Sequence, residues 1–150
     1  MTSNGDFIEQ RIIKAVQEIL TGRVNEILQR VEFHVPVIEF GGVGYGYVIS
    51  PGISLSACER TEKERIIRLD AFSLTISFEL AETPEAELLC YAYSGAMGRA
   101  LYDNPTLGGV VDRAVITGKK YVQPKKPNCG EGWGLVISLR LTVEELGNAG

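Results

Sequence analysis

A chain of 150 residues with 45% hydrophobic and 23% charged side chains has the size of one ordinary folded domain and lies outside the disordered and collagen-like ranges. Its 15 basic and 19 acidic residues leave a net charge of −4, which argues against a dedicated nucleic-acid binder with a concentrated basic face. A domain of this length buries about 68–70% of the surface its unfolded chain exposes, so it folds without a disulfide or metal.

Residues 7–31 predict the first helix. Ile8, Ile12, Val16, Ile19, Leu20, Val24, Ile27, Leu28 and Val31 recur at three- and four-residue steps, which puts them on one face. Asn4 or Asp6 can cap its start. Gly22 costs roughly 1 kcal/mol relative to alanine and allows a kink or break. A single apolar stripe implies one packed face, most simply against a sheet.

Residues 32–64 read as strands and loops. Phe33, Val35 and Val37 alternate weakly, and Pro36 demotes that stretch to an edge strand or unpaired segment. A glycine-rich stretch at 41–47 follows, then Pro51-Gly52, and the alternating Ile53, Leu55 and Ala57. The polar run 59–64 reads as a solvated turn.

From Phe72 the alternation is regular, with Phe72, Leu74, Ile76, Phe78 and Leu80 on one face and Ser73, Thr75, Ser77 and Glu79 on the other. Ile67, Leu69 and Ala71 precede it in the opposite phase. That flip demands a bulge, a bend or a second buried face, and a strand covered by helices on one side and another subunit on the other would meet the demand.

Thr83-Pro84-Glu85 predicts a helix start, with Thr83 as cap and proline in the first helical position. Leu89, Ala92, Tyr93, Ala96, Met97, Ala100 and Leu101 form its stripe, and Ala92, Gly95, Ala96, Gly98 and Ala100 allow close approach of a neighbour. The helix stops at Asp103-Asn104-Pro105, because the residue before proline is pushed out of helical conformation. Gly108-Gly109 then predicts a flexible turn into a strand over 111–122, and a polar loop spans 124–132. The closing strand turns Trp133, Leu135, Ile137, Leu139, Leu141 and Val143 inward. The expected fold is a single α+β domain over residues 1–150, a mainly antiparallel sheet packed with two helices.

Chemistry-bearing patterns are sparse. Cys58, Cys90 and Cys129 contain no Cys-x-x-Cys pair, and the single His34 is not spaced with them as a zinc site requires. Reduced thiols in a cytoplasmic compartment are the plain expectation. Polar residues 1–6 predict no secretory leader, and no run of eighteen apolar residues predicts a membrane span. The glycine-rich stretch lacks a Gly-x-Gly-x-x-Gly pattern and a following helix, and Gly118-Lys119-Lys120 lacks the Ser or Thr of a phosphate loop. A catalytic triad would have to use His34, in an apolar extended stretch. Cys129 lies near Lys125 and Lys126, which lower a thiol pKa, yet exposed loop cysteines are mostly idle. Lys119-Lys120 and Lys125-Lys126 flank Tyr121 and can touch phosphates, but such pairs more often keep a sheet edge soluble. No catalytic residue, metal ligand or cofactor is assigned.

From the second helix onward the chain is less generic. The segments Glu87-Leu88-Leu89-Cys90-Tyr91-Ala92-Tyr93 and Ala100-Leu101-Tyr102-Asp103-Asn104-Pro105-Thr106-Leu107-Gly108-Gly109-Val110-Val111-Asp112 resemble the tail-terminator and tail-completion proteins of long-tailed bacteriophages and prophages. In those a helix ends in an "L…D.TLGG.V" turn before a strand. Residues 64–76, 114–118 and 133–143 resemble the family's central and final strands, so the likeness covers roughly residues 60–145. The resemblance implies a structural role without catalysis. Its members form a ring, commonly sixfold, that caps the head-proximal end of the tail tube, stops polymerisation and meets head-completion or neck proteins. DNA passes through the lumen without sequence readout. The implied location is the virion tail, with the bacterial cytoplasm as the site of assembly, and no membrane is involved. Gly41, Gly42, Gly44, Tyr45, Gly46, Lys125, Lys126 and Asn128 would then lie in assembly-interface loops. Asp103, Asn104, Pro105, Gly108 and Gly109 would form a structural turn. Neck connectors share much of the pattern, and a small-molecule-binding or enzymatic domain using residues 41–46 and Cys129 is the alternative.

Overall fold

The computed structural model describes residues 7–30, 48–62, 67–81, 84–124 and 131–146. Its elements follow the order α1 (Ile8–Arg30), β1 (Val48–Glu62), β2 (Ile67–Ala81), α2 (Ala86–Tyr102), β3 (Arg113–Val122) and β4 (Glu131–Leu146). The strands form a four-stranded sheet in the order β1-β2-β4-β3, with every neighbouring pair antiparallel. Two helices on such a sheet make the α+β fold expected from the pattern.

Period-two alternation decides which face the helices cover. Phe72, Leu74, Ile76, Phe78 and Leu80 of β2 are buried, as are Leu135, Ile137, Leu139, Leu141 and Val143 of β4. Cross-strand pairs such as Leu74 with Leu139 and Ile76 with Ile137 keep the two rows in step. Ile12, Val16, Leu20 and Val24 of α1 and Leu89, Tyr93, Ala96, Met97 and Leu101 of α2 close the same core. Phe78 and Tyr93 meet edge to face, with ring centroids 5.5 Å apart. On the opposite face Ser73, Thr75, Ser77, Val136, Ser138 and Thr142 are only half-buried, and no helix covers them among the described residues.

Several expectations are revised. The polar run begins as strand, because residues 59–62 pair with 68–71; residues 63–66 lie outside the described residues. The phase flip before Phe72 is not a bulge between the central strands. β2 pairs with β4 without a shift from Ile67 to Glu79. The inner position is instead taken by Asp70, a fully buried carboxylate that accepts from Arg60 Nε at 3.0 Å. A polar residue on the core face makes the apolar pattern seem to change phase.

Helix α1 runs through Gly22 without a break, because the helix continues at full length across it. Its principal neighbour is α2, with β1 second, so a helix rather than the sheet takes most of its apolar face. Thr83 lies outside the described residues. Glu85 holds the N-cap position of α2 without a side-chain cap bond, so Pro84 sits in the preceding turn and not in the first helical position. Pro51 falls within β1 at an irregularity between Ile49 and Gly52, where an edge strand tolerates the missing N–H.

A candidate assembly surface at the second helix and the sheet edges

The segment that carries the family resemblance folds into a defined turn. Asp103 caps α2, its N–H donating to the Arg99 carbonyl. Asn104 N–H donates to Leu101 O, and its side-chain Nδ2 donates to Ala100 O at 2.8 Å. Thr106 O then accepts from both Gly109 N and Val111 N at 3.0 Å, and Pro105 O accepts from Ala114 N at 2.7 Å. Leu107, Gly108 and Gly109 carry φ of 50°, 70° and 91°, the left-handed region that favours glycine. Leu107 accepts that strain while its side chain is fully buried in the core. The turn is thus pinned at both ends and anchored in its middle, where the sequence suggested flexibility.

Charge reinforces this corner. Asp103 Oδ2 lies 3.5 Å from both Arg23 of α1 and Arg99 of α2, and Arg23 also pairs with Glu26 at 2.6 Å. On the far side, the Asp112 carboxylate accepts from Glu144 N–H, and Asp112 N–H donates to Thr142 O at 2.9 Å. Asp103, Asn104, Pro105, Gly108 and Gly109 all lie in this one turn. Gly41, Gly42, Gly44, Tyr45, Gly46, Lys125, Lys126 and Asn128 lie outside the described residues, as do His34 and Cys129.

Helix α2 has a second stripe that periodicity alone did not single out. Leu88, Tyr91, Gly95, Gly98 and Tyr102 recur at three- and four-residue steps on the side away from the core. Leu88 is 63% exposed, Tyr91 43% and Tyr102 81%. Tyr91 stands edge to face against Tyr121 of β3 at 5.2 Å and Trp133 of β4 at 5.9 Å. Its hydroxyl donates to Glu87 Oε2 at 3.0 Å, and that hydrogen bond to the neutral phenol raises its pKa. Aromatic groups grouped on an open surface are the composition of interface centres rather than of ordinary surface.

Ser94 joins this stripe to β3. Its hydroxyl hydrogen-bonds the Tyr121 hydroxyl at 2.8 Å, and its carbonyl accepts from Lys119 Nζ at 2.9 Å. A Cβ on Gly98 would meet that ammonium at 2.7 Å, so Gly98 is the close-approach glycine of this helix. Gly95 has open space beside it and serves no such contact. Lys119 is thereby committed to α2, while Lys120 is exposed on the other face of β3.

Among the described residues no three His, Cys, Asp or Glu side chains group as metal ligands. An open groove of about 570 Å³ at one end of the sheet is lined, among the described residues, by the single carboxylate Glu79 with Ser77, Val122, Gln123, Gly134 and Val136. Cys90 is buried against Gly134 O at 3.5 Å, and burial pushes its thiol up to about 11. It is protonated and shielded, the opposite of an activated nucleophile. Cys58 is exposed on β1. No helix among the described residues is long and apolar enough to cross a membrane.

Comparison with known proteins finds no matching family model and no matching curated protein.

Proposed function

We propose that the chain is a structural subunit of a phage or prophage virion. It works as a homo-oligomeric ring that caps the head-proximal end of the tail tube, ends tube polymerisation and serves head–tail joining. Its partners are further copies of itself in a ring, sixfold as in the family it resembles, the tail-tube protein and a head-completion or neck protein. DNA passes through the lumen without specific readout. The role is played in the virion tail after assembly in the bacterial cytoplasm, and it includes no catalytic step.

The observation that carries this reading is the turn at 103–112. The residues that bear the family resemblance are also those that lock α2 onto β3 and β4, through Pro105 O, Thr106 O and three consecutive positive-φ residues. An element that holds two surface-forming elements in fixed relation suits a part whose product is a shape. The exposed aromatic stripe and the two strand edges left unpaired among the described residues support the same reading, since both are groups that association buries.

The test is deletion of the gene from an inducible prophage, followed by electron microscopy of the lysate. Overlong or frayed tails detached from heads are the expected result. Normal tails joined to heads would overturn the proposal, and tails of normal length that fail to join heads would move the station to the neck.

A further inference from the structure

The two edges of the sheet are related in a way that bears on self-association. All three strand pairings are antiparallel in the order β1-β2-β4-β3, so β1 and β4 run one way while β2 and β3 run the other. A copy carried onto its neighbour by rotation about an axis along the strands sets β3 antiparallel to the neighbour's β1. No staple or strand reversal is needed. Among the described residues neither edge has a strand on its outer side, and each presents a row of backbone donors and acceptors.

The registers place the two edges in level rows. Arg113 pairs with Thr142, Thr142 with Ala71 and Ala71 with Glu59. By the same route Val115 lies level with Ala57, Gly118 with Ser54 and Lys120 with Gly52. Each edge strand also carries an irregularity in this stretch, between Leu55 and Ala57 in β1 and between Ile116 and Gly118 in β3, one level apart. A bulge ordinarily spoils an edge for an arbitrary strand. Here the extra residues, Ser56 and Thr117, are offset by one level, and because each strand has one of them residues 113–120 span the same levels as residues 59–52. Both hydroxyls are turned inward onto their own sheet, Ser56 to Ser73 O at 2.9 Å and Thr117 to Ser138 O at 3.2 Å.

Charge selects the pairing. β3 carries Arg113, Lys119 and Lys120 with no acidic residue. Arg113 is exposed and makes no ion pair among the described residues. Glu59 is exposed on the corresponding face of β1 and forms a long ion pair with Arg140 at 3.9 Å. The unstaggered contact places these two opposite one another. In the helix layer α1 packs against β1 and α2 against β3, so joining the edges also turns the Leu88, Tyr91 and Tyr102 stripe toward α1 of the next copy.

We infer that the chain binds a second copy of itself head to tail, the β3–α2 edge of one copy extending the sheet of the next at its β1–α1 edge. Arg113 of one copy faces Glu59 of the other. The inference deepens the ring reading above and rests on it only for its biological purpose.

The test uses the full-length chain with Cys58→Ser and Cys129→Ser, leaving the buried Cys90. Copies with Glu59→Cys and copies with Arg113→Cys are prepared separately, mixed up to the solubility limit and treated with a short bis-maleimide. The mixture gives a covalent dimer and either variant alone does not. In chains that keep all other residues, Arg113→Glu weakens association about tenfold, because attraction becomes repulsion across one strand pair; adding Glu59→Arg to the same chain restores it. Both side chains are exposed, and circular dichroism verifies that each variant is folded. Equal cross-linking by Arg113→Cys alone would overturn the inference in favour of a symmetric β3–β3 pair. Absence of the mixed cross-link, or a charge reversal without effect, would overturn it outright. Cross-linking together with normal tails in the deletion lysate keeps the contact and rejects the terminator role. Overlong tails without cross-linking keep the role and reject the contact.

Discussion

Replacing Gly108 and Gly109 together by valine tests whether backbone conformation holds the turn. Both residues have positive φ, and a Cβ built on either meets nothing within 4 Å. The cost is therefore conformational and not a clash. A non-glycine residue in left-handed conformation costs roughly 1–2 kcal/mol, and β-branching adds to it. Two such positions give about 2–4 kcal/mol, since Leu107 already bears one unfavourable conformation and leaves little slack. For a chain of this size, about 2–4 °C of melting temperature is lost per kcal/mol, which predicts a fall of roughly 5–15 °C in the double variant. Thermal unfolding followed by circular dichroism reads it directly. Asparagine, which tolerates the left-handed region, should recover a large part of the loss at both positions. An unchanged melting temperature in the valine variant, or equal losses for asparagine and valine, would refute the argument from φ.

Ser94→Ala removes the hydroxyl that meets Tyr121 and should cost about 1 kcal/mol in urea unfolding; a loss indistinguishable from zero would show that this hydroxyl pair adds nothing to the hold of α2 on β3. Asp112→Ala frees the N–H of Glu144 and should cost about 1 kcal/mol, whereas Asp112→Asn keeps an acceptor and should cost less. Burial raises the Cys90 thiol from 9.0 to about 11 and the Tyr93 phenol from 10.0 to about 12. The folded state then holds these protons after the unfolded state has released them, so the stability they contribute is intact below about pH 9 and is lost as pH rises through 11 and then 12. Urea midpoints measured across that range should fall, and Cys90→Ala should flatten the part between pH 9 and 11; an equal slope in the variant would contradict the assignment.

Part of this protein was legible in the residues alone, for physical reasons. Period two in 72–80 and 133–143 and period 3.6 in 8–28 and 89–101 reflect which side chains water excludes. Strong patterns of that kind gave the two helices, the inner faces of β2 and β4 and hence the α+β class. The stop at Asp103-Asn104-Pro105 was legible because proline constrains its predecessor whatever surrounds it.

Other features depend on partners far along the chain. Asp70 looks like a break in a pattern until Arg60, opposite it on β1, neutralises it. The run 59–62 looks like a turn because its charged side chains line an edge strand, where polarity blunts wrong pairing. Leu88, Tyr91 and Tyr102 merge into a helix that reads as apolar around much of its girth, and only the placement of the sheet decides which stripe is core and which is left exposed. Local periodicity thus determined the elements and their buried faces. The strand order, the matching of the two sheet edges and the aromatic surface beside one of them were decided by tertiary structure, because each arises from contacts between residues that no local pattern relates.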